Sequence, residues 1–144
     1  MQVALEEAHR AASLGEVPVG AAVVAHGHVI ARACNRPIGL HDPTAHAEML
    51  AMREAGQVLG NYRLTGTTVY VTVEPCLMCV GALVLARVGT VVFGATEPKT
   101  GALVSAVRAL DLPGLNHRFE VVGGVCEKAS RELMQQFFQQ RRGG

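Results

Sequence analysis

From Met1 to Leu14, apolar residues recur at helical spacing, with Val3, Leu5, Ala8 and Ala12 on one face and Gly15 as a stop signal. The pattern then shortens. Val19–Ala25 and Val29–Cys34 are strand-like runs on either side of His26-Gly27-His28, which predicts a β-hairpin. Asp42-Pro43-Thr44 has the chemistry of a helix start, with Asp42 or Thr44 as N-cap and Pro43 at the first helical position. That helix is predicted to run to about Ala55 and to end at Gly56. Thr67–Val73 is dense in β-branched residues and predicts a central strand. Pro75 opens a further helix, from Cys76 to about Ala86. A strand over Thr90–Phe93, a helix over Ala102–Leu110, a strand over Phe119–Val122 and a last helix over Cys126–Arg142 complete the chain. No repeat, low-complexity stretch or linker interrupts it, so a single domain over 1–144 is expected. The order α-ββ-α-β-α-β-α-β-α predicts an α/β sandwich: one mixed sheet with helices on both faces, the later strands parallel to one another.

Composition narrows the function classes. The chain has 144 residues, 49% of them hydrophobic and 17% charged, a balance that excludes a wholly disordered chain. The longest apolar run without a charge, Cys76–Ala86, falls well short of the roughly 20 residues a membrane span needs. Near the N-terminus Glu6 and Glu7 lie inside an amphipathic pattern, so no signal peptide is expected and a cytoplasmic location is. Thirteen basic residues against 12 acidic ones leave a net charge of +1. A globally basic nucleic-acid-binding domain is thereby excluded, and any phosphate contact must come from a local patch such as Arg36, Arg63, Lys99, Arg141 and Arg142.

Two short segments carry candidate chemistry: His46-Ala47-Glu48 and Pro75-Cys76-Leu77-Met78-Cys79. Each falls at the start of a predicted helix, and the second directly follows a central strand, where open α/β sheets place their sites. Cys76 and Cys79 share a helix face, and the helix N-terminus favours thiolates there. Two thiolates and one imidazole form a zinc set of three, which leaves the fourth position for water, as in a catalytic site. Cys34 points away if Asn35 faces the pocket, because neighbours in a strand alternate. Cys126 reads as a buried small hydrophobe. Zinc held by two thiolates acidifies water less than zinc held by three neutral imidazoles. Glu48, two residues from His46, is therefore the candidate base that takes a proton from water and later delivers it to the substrate.

His-x-Glu followed by Pro-Cys-x-x-Cys resembles the signature of the zinc-dependent cytidine and nucleobase deaminases. Flanking segments extend the resemblance to the bacterial tRNA-specific adenosine deaminases. They are Gly15-Glu16-Val17-Pro18-Val19-Gly20, Asn35-Arg36-Pro37, Asp42-Pro43-Thr44-Ala45, Tyr70-Val71-Thr72-Val73-Glu74, Lys99-Thr100-Gly101, Asn116-His117-Arg118, Phe137-Phe138 and Arg141-Arg142. The resemblance implies a cytidine deaminase-like three-layer α/β/α sandwich with a mixed five-stranded sheet, one Zn2+ per chain on His46, Cys76 and Cys79, and a homodimer. It implies conversion of the wobble adenosine to inosine in the anticodon stem-loop of an arginine tRNA, with release of ammonia and with Glu48 shuttling protons. Asn35 and the Ala47 backbone N–H would then contact the base, Val19 and the His46 ring would pack on its faces, and Phe138, Arg141 and Arg142 would lie near RNA. Without the resemblance, Asn35 also reads as a turn residue, Val19 as a core residue and Phe138 as part of an apolar helix face. Arg141 and Arg142 are equally a solvated tail or a phosphate clamp. Glu97 stands where the family often has Asp, and Leu103-Val104-Ser105 where it often has Gly-Ser, differences that bear on sequence context around the target base. A small-molecule deaminase of the same superfamily and a non-catalytic zinc module that binds RNA are the competing readings.

Overall fold

The computed structural model describes residues 1–143, and Gly144 lies outside the described residues. Helix α1 spans Gln2–Ser13. Strands β1 (Gly20–Ala25) and β2 (His28–Cys34) form the hairpin, closed by His26 and Gly27, both at positive φ (51° and 77°). That is the geometry of a two-residue turn whose twist matches the strands. A four-residue helix, α2 (Pro37–Leu40), precedes α3 (Ala47–Leu59). Strand β3 (Thr68–Val73), helix α4 (Leu77–Leu85), strands β4 (Thr90–Ala95) and β5 (Glu120–Val122) and helix α5 (Glu127–Gly143) follow.

The five strands form one sheet in the order β2-β1-β3-β4-β5. Strand β1 runs antiparallel to β2 and β3, whereas β3, β4 and β5 are mutually parallel. Helices α1 and α5 pack on one face; α3 packs on the other, with α4 beside it. The result is a mixed-sheet α/β/α sandwich. The central strands are covered on both sides, so they read as apolar runs rather than alternating ones. Val69, Val71, Val91 and Phe93 are buried in the layer under α3 and α4, while Thr72 on the opposite face accepts a hydrogen bond from Gly20 N. Gly20 is dictated by close approach: a Cβ there would lie 1.9 Å from the Ala4 carbonyl oxygen of α1.

This topology gathers one end of the sheet. Val73 pairs with Ala95, so β3 and β4 end together. Because β1 is antiparallel to β3, its start lies beside that end, and Gly20 pairs with Cys34 at the end of β2. Val19, Asn35 and Glu74, one residue beyond these strands, therefore meet at one edge.

Two predicted helices and the predicted setting of Cys126 differ. The helix expected from Asp42 begins at Ala47, because Asp42 Oδ1 accepts from Thr44 N and Thr44 Oγ1 and holds a local turn. It also continues through Gly56 to Leu59, and Gly60 in the left-handed region ends it. The helix expected over Ala102–Leu110 is absent; turns and a 3₁₀ turn at Ala109–Asp111 replace it. Its backbone donors go elsewhere, since Leu103 N, Val104 N and Ser105 N all point at the Glu74 carboxylate. Cys126 is half-buried at φ 56°, just before α5, rather than a core residue.

Candidate active site

His46 is the N-cap of α3 and Cys76 the N-cap of α4, both with extended backbone (ψ 152° and 174°). Neither side chain caps its own helix. Both instead turn to a common point beneath the sheet edge, and Cys79, in the first turn of α4, turns to it as well. His46 Nδ1 lies 3.6 Å from Cys76 Sγ and 3.4 Å from Cys79 Sγ. The three donor atoms fall within 4.8 Å of one another, a cluster that can hold a metal ion, and among the described residues no fourth His, Cys, Asp or Glu joins it.

Electrostatics in the cluster are those of ligands sharing protons. Hydrogen bonds from Cys79 and His46 pull the Cys76 thiol down to about 3. Cys79 moves the opposite way, raised by its hydrogen bond to Cys76 and by burial. His46 is raised by its hydrogen bond to Cys76, against burial. Glu48, 3% exposed, lies beside this cluster. Burial pushes its carboxyl above the ordinary value, and its own backbone amide, the His46 charge and Cys79 do not offset that. A carboxyl raised in this way holds a proton more readily than a solvated one, which suits a group that takes up and hands on protons.

A pocket of about 230 Å³ opens over the cluster, and it brings together Val19, Asn35, His46, Glu48, Cys76 and Phe138. Cys79 and Ala47 lie fully buried beneath it. The Ala47 N–H donates to Asn35 Oδ1 at 2.8 Å, so in this structure it meets Asn35 rather than the open pocket. Arg141 does not line this pocket. It donates to the Gly15 carbonyl, and its guanidinium lies over the Phe137 ring, 4.5 Å from the centroid. Arg142 is exposed in the adjoining groove with Lys99, Glu97 and Phe138.

Two carboxylates to which the sequence assigned no role are built into the site's walls. Glu16, 2% exposed, accepts from Ile38 N at 3.1 Å and Gly39 N at 2.8 Å and so holds the segment after Asn35. Glu74, 4% exposed, lines the pocket with Glu97 and Thr100. Burial pushes Glu74 up, but the Ser105 hydroxyl and the amides of Val104, Glu97 and Ser105 outweigh it and hold the carboxyl below its ordinary value. The only signal in the sequence was the position of Glu74 directly before Pro75-Cys76. A larger cleft between α3 and α4, lined by Met49, Met52, Tyr62 and Leu85, holds none of the chemistry.

Comparison with known proteins agrees with this geometry. Residues 1–142 match the family model of the MafB19-like deaminases. The chain is 49% identical over 142 residues to the tRNA-specific adenosine deaminase of Aquifex aeolicus, covering 99% of this chain and 93% of that protein. It is 45% identical to the Agrobacterium fabrum protein of the same name, with the same coverage. A solved structure from work on A-to-I editing by tRNA:A34 deaminases at the wobble position of transfer RNA superposes with a TM-score of 0.91. It is 45% identical and covers 92% of this chain and 96% of its own.

Proposed function

The chain belongs to the family of the tRNA-specific adenosine deaminases, and on that premise we propose that it converts the wobble adenosine of an arginine tRNA to inosine by zinc-dependent hydrolysis. The observation that carries this reading is the three-donor cluster beside a buried carboxyl. Zinc bonds of about 2.3 Å to sulfur and about 2.05 Å to nitrogen, set at tetrahedral angles, separate N from S by about 3.6 Å. The observed 3.4 and 3.6 Å support zinc on His46, Cys76 and Cys79, one ion per chain. When bound, zinc supplies the Lewis acidity that lets water ionise near neutral pH.

The chain's own residues do the rest. Glu48 takes one proton from water and delivers it to the adenine ring nitrogen N1, where inosine keeps it. It then carries the second proton of that water from the oxygen on C6 to the departing amine, so oxygen enters at C6 and ammonia leaves. Asn35 presents its amide NH2 to an acceptor on the base, held by its bond to Ala47. Val19 and the His46 ring flank the pocket and pack on the two faces of the flipped base. Phe138 lines both the pocket and the groove beside it, and Arg142 lies in that groove outside the pocket, where RNA loops are read by stacking and phosphate contact. Arg141 uses one donor on Gly15 and keeps others for phosphate.

The sandwich acts as one deaminase domain over 1–144. Tyr62 and Leu85, 74% and 77% exposed, line the α3–α4 cleft, and this apolar face supports a symmetric homodimer. Among the described residues no helix is long and apolar enough to cross a membrane. A tRNA substrate supports a cytoplasmic location. An inosine assay on a synthetic arginine-tRNA anticodon hairpin tests the reading. Metal-loaded protein that leaves the hairpin intact while deaminating free guanine or cytosine would overturn the substrate assignment.

A further inference from the structure

The segment Glu97–Ser105 has no regular structure of its own, yet through Glu97 and Thr100 it forms part of the wall of the pocket that Asn35 also lines. Its conformation is imposed from one side chain. Glu74 Oε1 accepts from Glu97 N at 3.1 Å and from the Ser105 hydroxyl, and Oε2 accepts from Leu103 N, Val104 N and Ser105 N at 3.0, 2.8 and 3.0 Å. The carboxylate thus grips both ends of the segment. Ala102 N donates to Pro75 O at 2.8 Å, tying its middle to the residue before Cys76. The grip leaves no slack: a Cβ on Gly101 would lie 2.4 Å from the Glu74 carboxyl carbon.

We propose that Glu74 is a positioning residue that holds the 97–105 wall in register with the Cys76–Cys79 turn, so that substrate fit depends on a carboxylate whose own hydrogen bonds go to that wall. This rests on the deaminase reading above. The logic is geometric. Glu74 is the last residue before the turn that carries the ligands, and its backbone is fixed to the sheet by Glu74 N donating to Ala95 O at 2.8 Å. Its side chain therefore transfers the register of the sheet end to a segment that has no strand or helix of its own to do so. A neutral amide in its place presents an NH2 to N–H donors, and a buried donor left facing donors is costly.

The test uses Glu74→Gln and Ser105→Ala in the full-length, metal-loaded protein. In Glu74→Gln, hydrogen exchange of the Leu103, Val104 and Ser105 amides is expected to accelerate by about tenfold or more, while Val69, Val71 and Phe93 keep their protection. KM for the anticodon hairpin rises about fivefold or more, with kcat within about twofold and metal content unchanged. Ser105→Ala, which removes one donor and leaves the carboxylate, shifts the same readouts in the same direction by less. Loop amides that stay protected in both variants overturn the proposal, as does a fall in kcat with KM unmoved, or exchange that quickens equally in the central strands. If Glu74→Gln does not fold, Ser105→Ala decides by the same readouts. If the wild-type protein does not act on the hairpin, the functional reading fails, and the exchange pattern alone then decides whether Glu74 holds the wall.

Discussion

Asn35 Oδ1 accepts the backbone N–H of Ala47 at 2.8 Å, and this single bond orients the amide. A backbone N–H can only donate, so the oxygen faces Ala47 and the NH2 is turned toward the other side of the group. Ala47 directly follows His46, so the residue proposed to hold the base is tied to the residue proposed to hold the metal. Asn35→Asp keeps the acceptor for Ala47 but replaces the donor with an anion, whereas Asn35→Ala removes both. Both variants are expected to lose about 10- to 100-fold in kcat/KM on the hairpin, with Asp no better than Ala. Near wild-type turnover by the Asp variant would show that no donor is required there.

Glu48 has the burial of a structural residue and the location of a reactive one. At 3% exposure it packs under the pocket, and its carboxyl is pushed up chiefly by desolvation. Glu48→Gln keeps the shape and removes the titrating group. Turnover should fall by about 10²- to 10⁴-fold with the metal retained, measured by inosine formation alongside elemental analysis. Loss of metal together with activity would instead assign Glu48 to the ligand set.

The parts of the site that follow from local spacing were legible in the chain. His46, Glu48, Cys76 and Cys79 each lie within the first turn of a helix or at its cap, so short-range pattern and donor chemistry suffice to find them. Glu16 and Glu74 were not legible. Their partners are backbone amides 22 to 31 residues further along the chain, and nothing in a side chain announces such a bond. The same blindness produced the helix expected over Ala102–Leu110. Its apolar spacing is real, but a buried carboxylate competes for the amides a helix would use. Gly56 misled for a different reason. It stays helical and serves a close contact, since a Cβ there would meet the Asn61 carbonyl at 3.3 Å, while Gly60 takes the left-handed turn.

Metal binding should release protons. In the metal-free cluster Cys79 is raised and holds its proton, so an ion that takes the thiolate must displace it. The sign follows: apparent affinity falls as pH falls. Calorimetric titration of the apo-protein with Zn2+ in buffers of different ionisation enthalpy should reveal that release. Chelation should abolish hairpin deamination and lower the melting temperature, because the ion links α3 to α4 through His46, Cys76 and Cys79. A chelated protein with unchanged melting temperature and activity contradicts the site.

Leu85 is 77% exposed at the end of α4, on the cleft that Tyr62 and Met52 also line. A charge placed there is desolvated in a symmetric dimer and solvated in a monomer. Leu85→Arg should therefore shift sedimentation from dimer to monomer while leaving the far-ultraviolet spectrum unchanged. A variant that sediments as the wild type does would remove this face from the interface.

The two terminal arginines, adjacent in sequence, should separate in experiment. Arg141 is bound on both sides, to the Gly15 carbonyl and over the Phe137 ring, and it joins the end of α5 to the loop that carries Glu16. Arg142 is exposed in the groove that Arg141, Lys99 and Phe138 also line. Arg141→Ala removes a cation–π contact and a hydrogen bond, and should cost about 1–2 kcal/mol of stability in denaturant titration. Arg142→Ala should leave stability within about 0.5 kcal/mol. It should instead flatten the dependence of log K for hairpin binding on log salt by about 0.7, the signature of one lost contact to a single-stranded phosphate. Equal loss of stability in the two variants would show that the Arg141 latch contributes nothing of its own, and an unchanged salt slope in Arg142→Ala would remove that residue from the phosphate contacts.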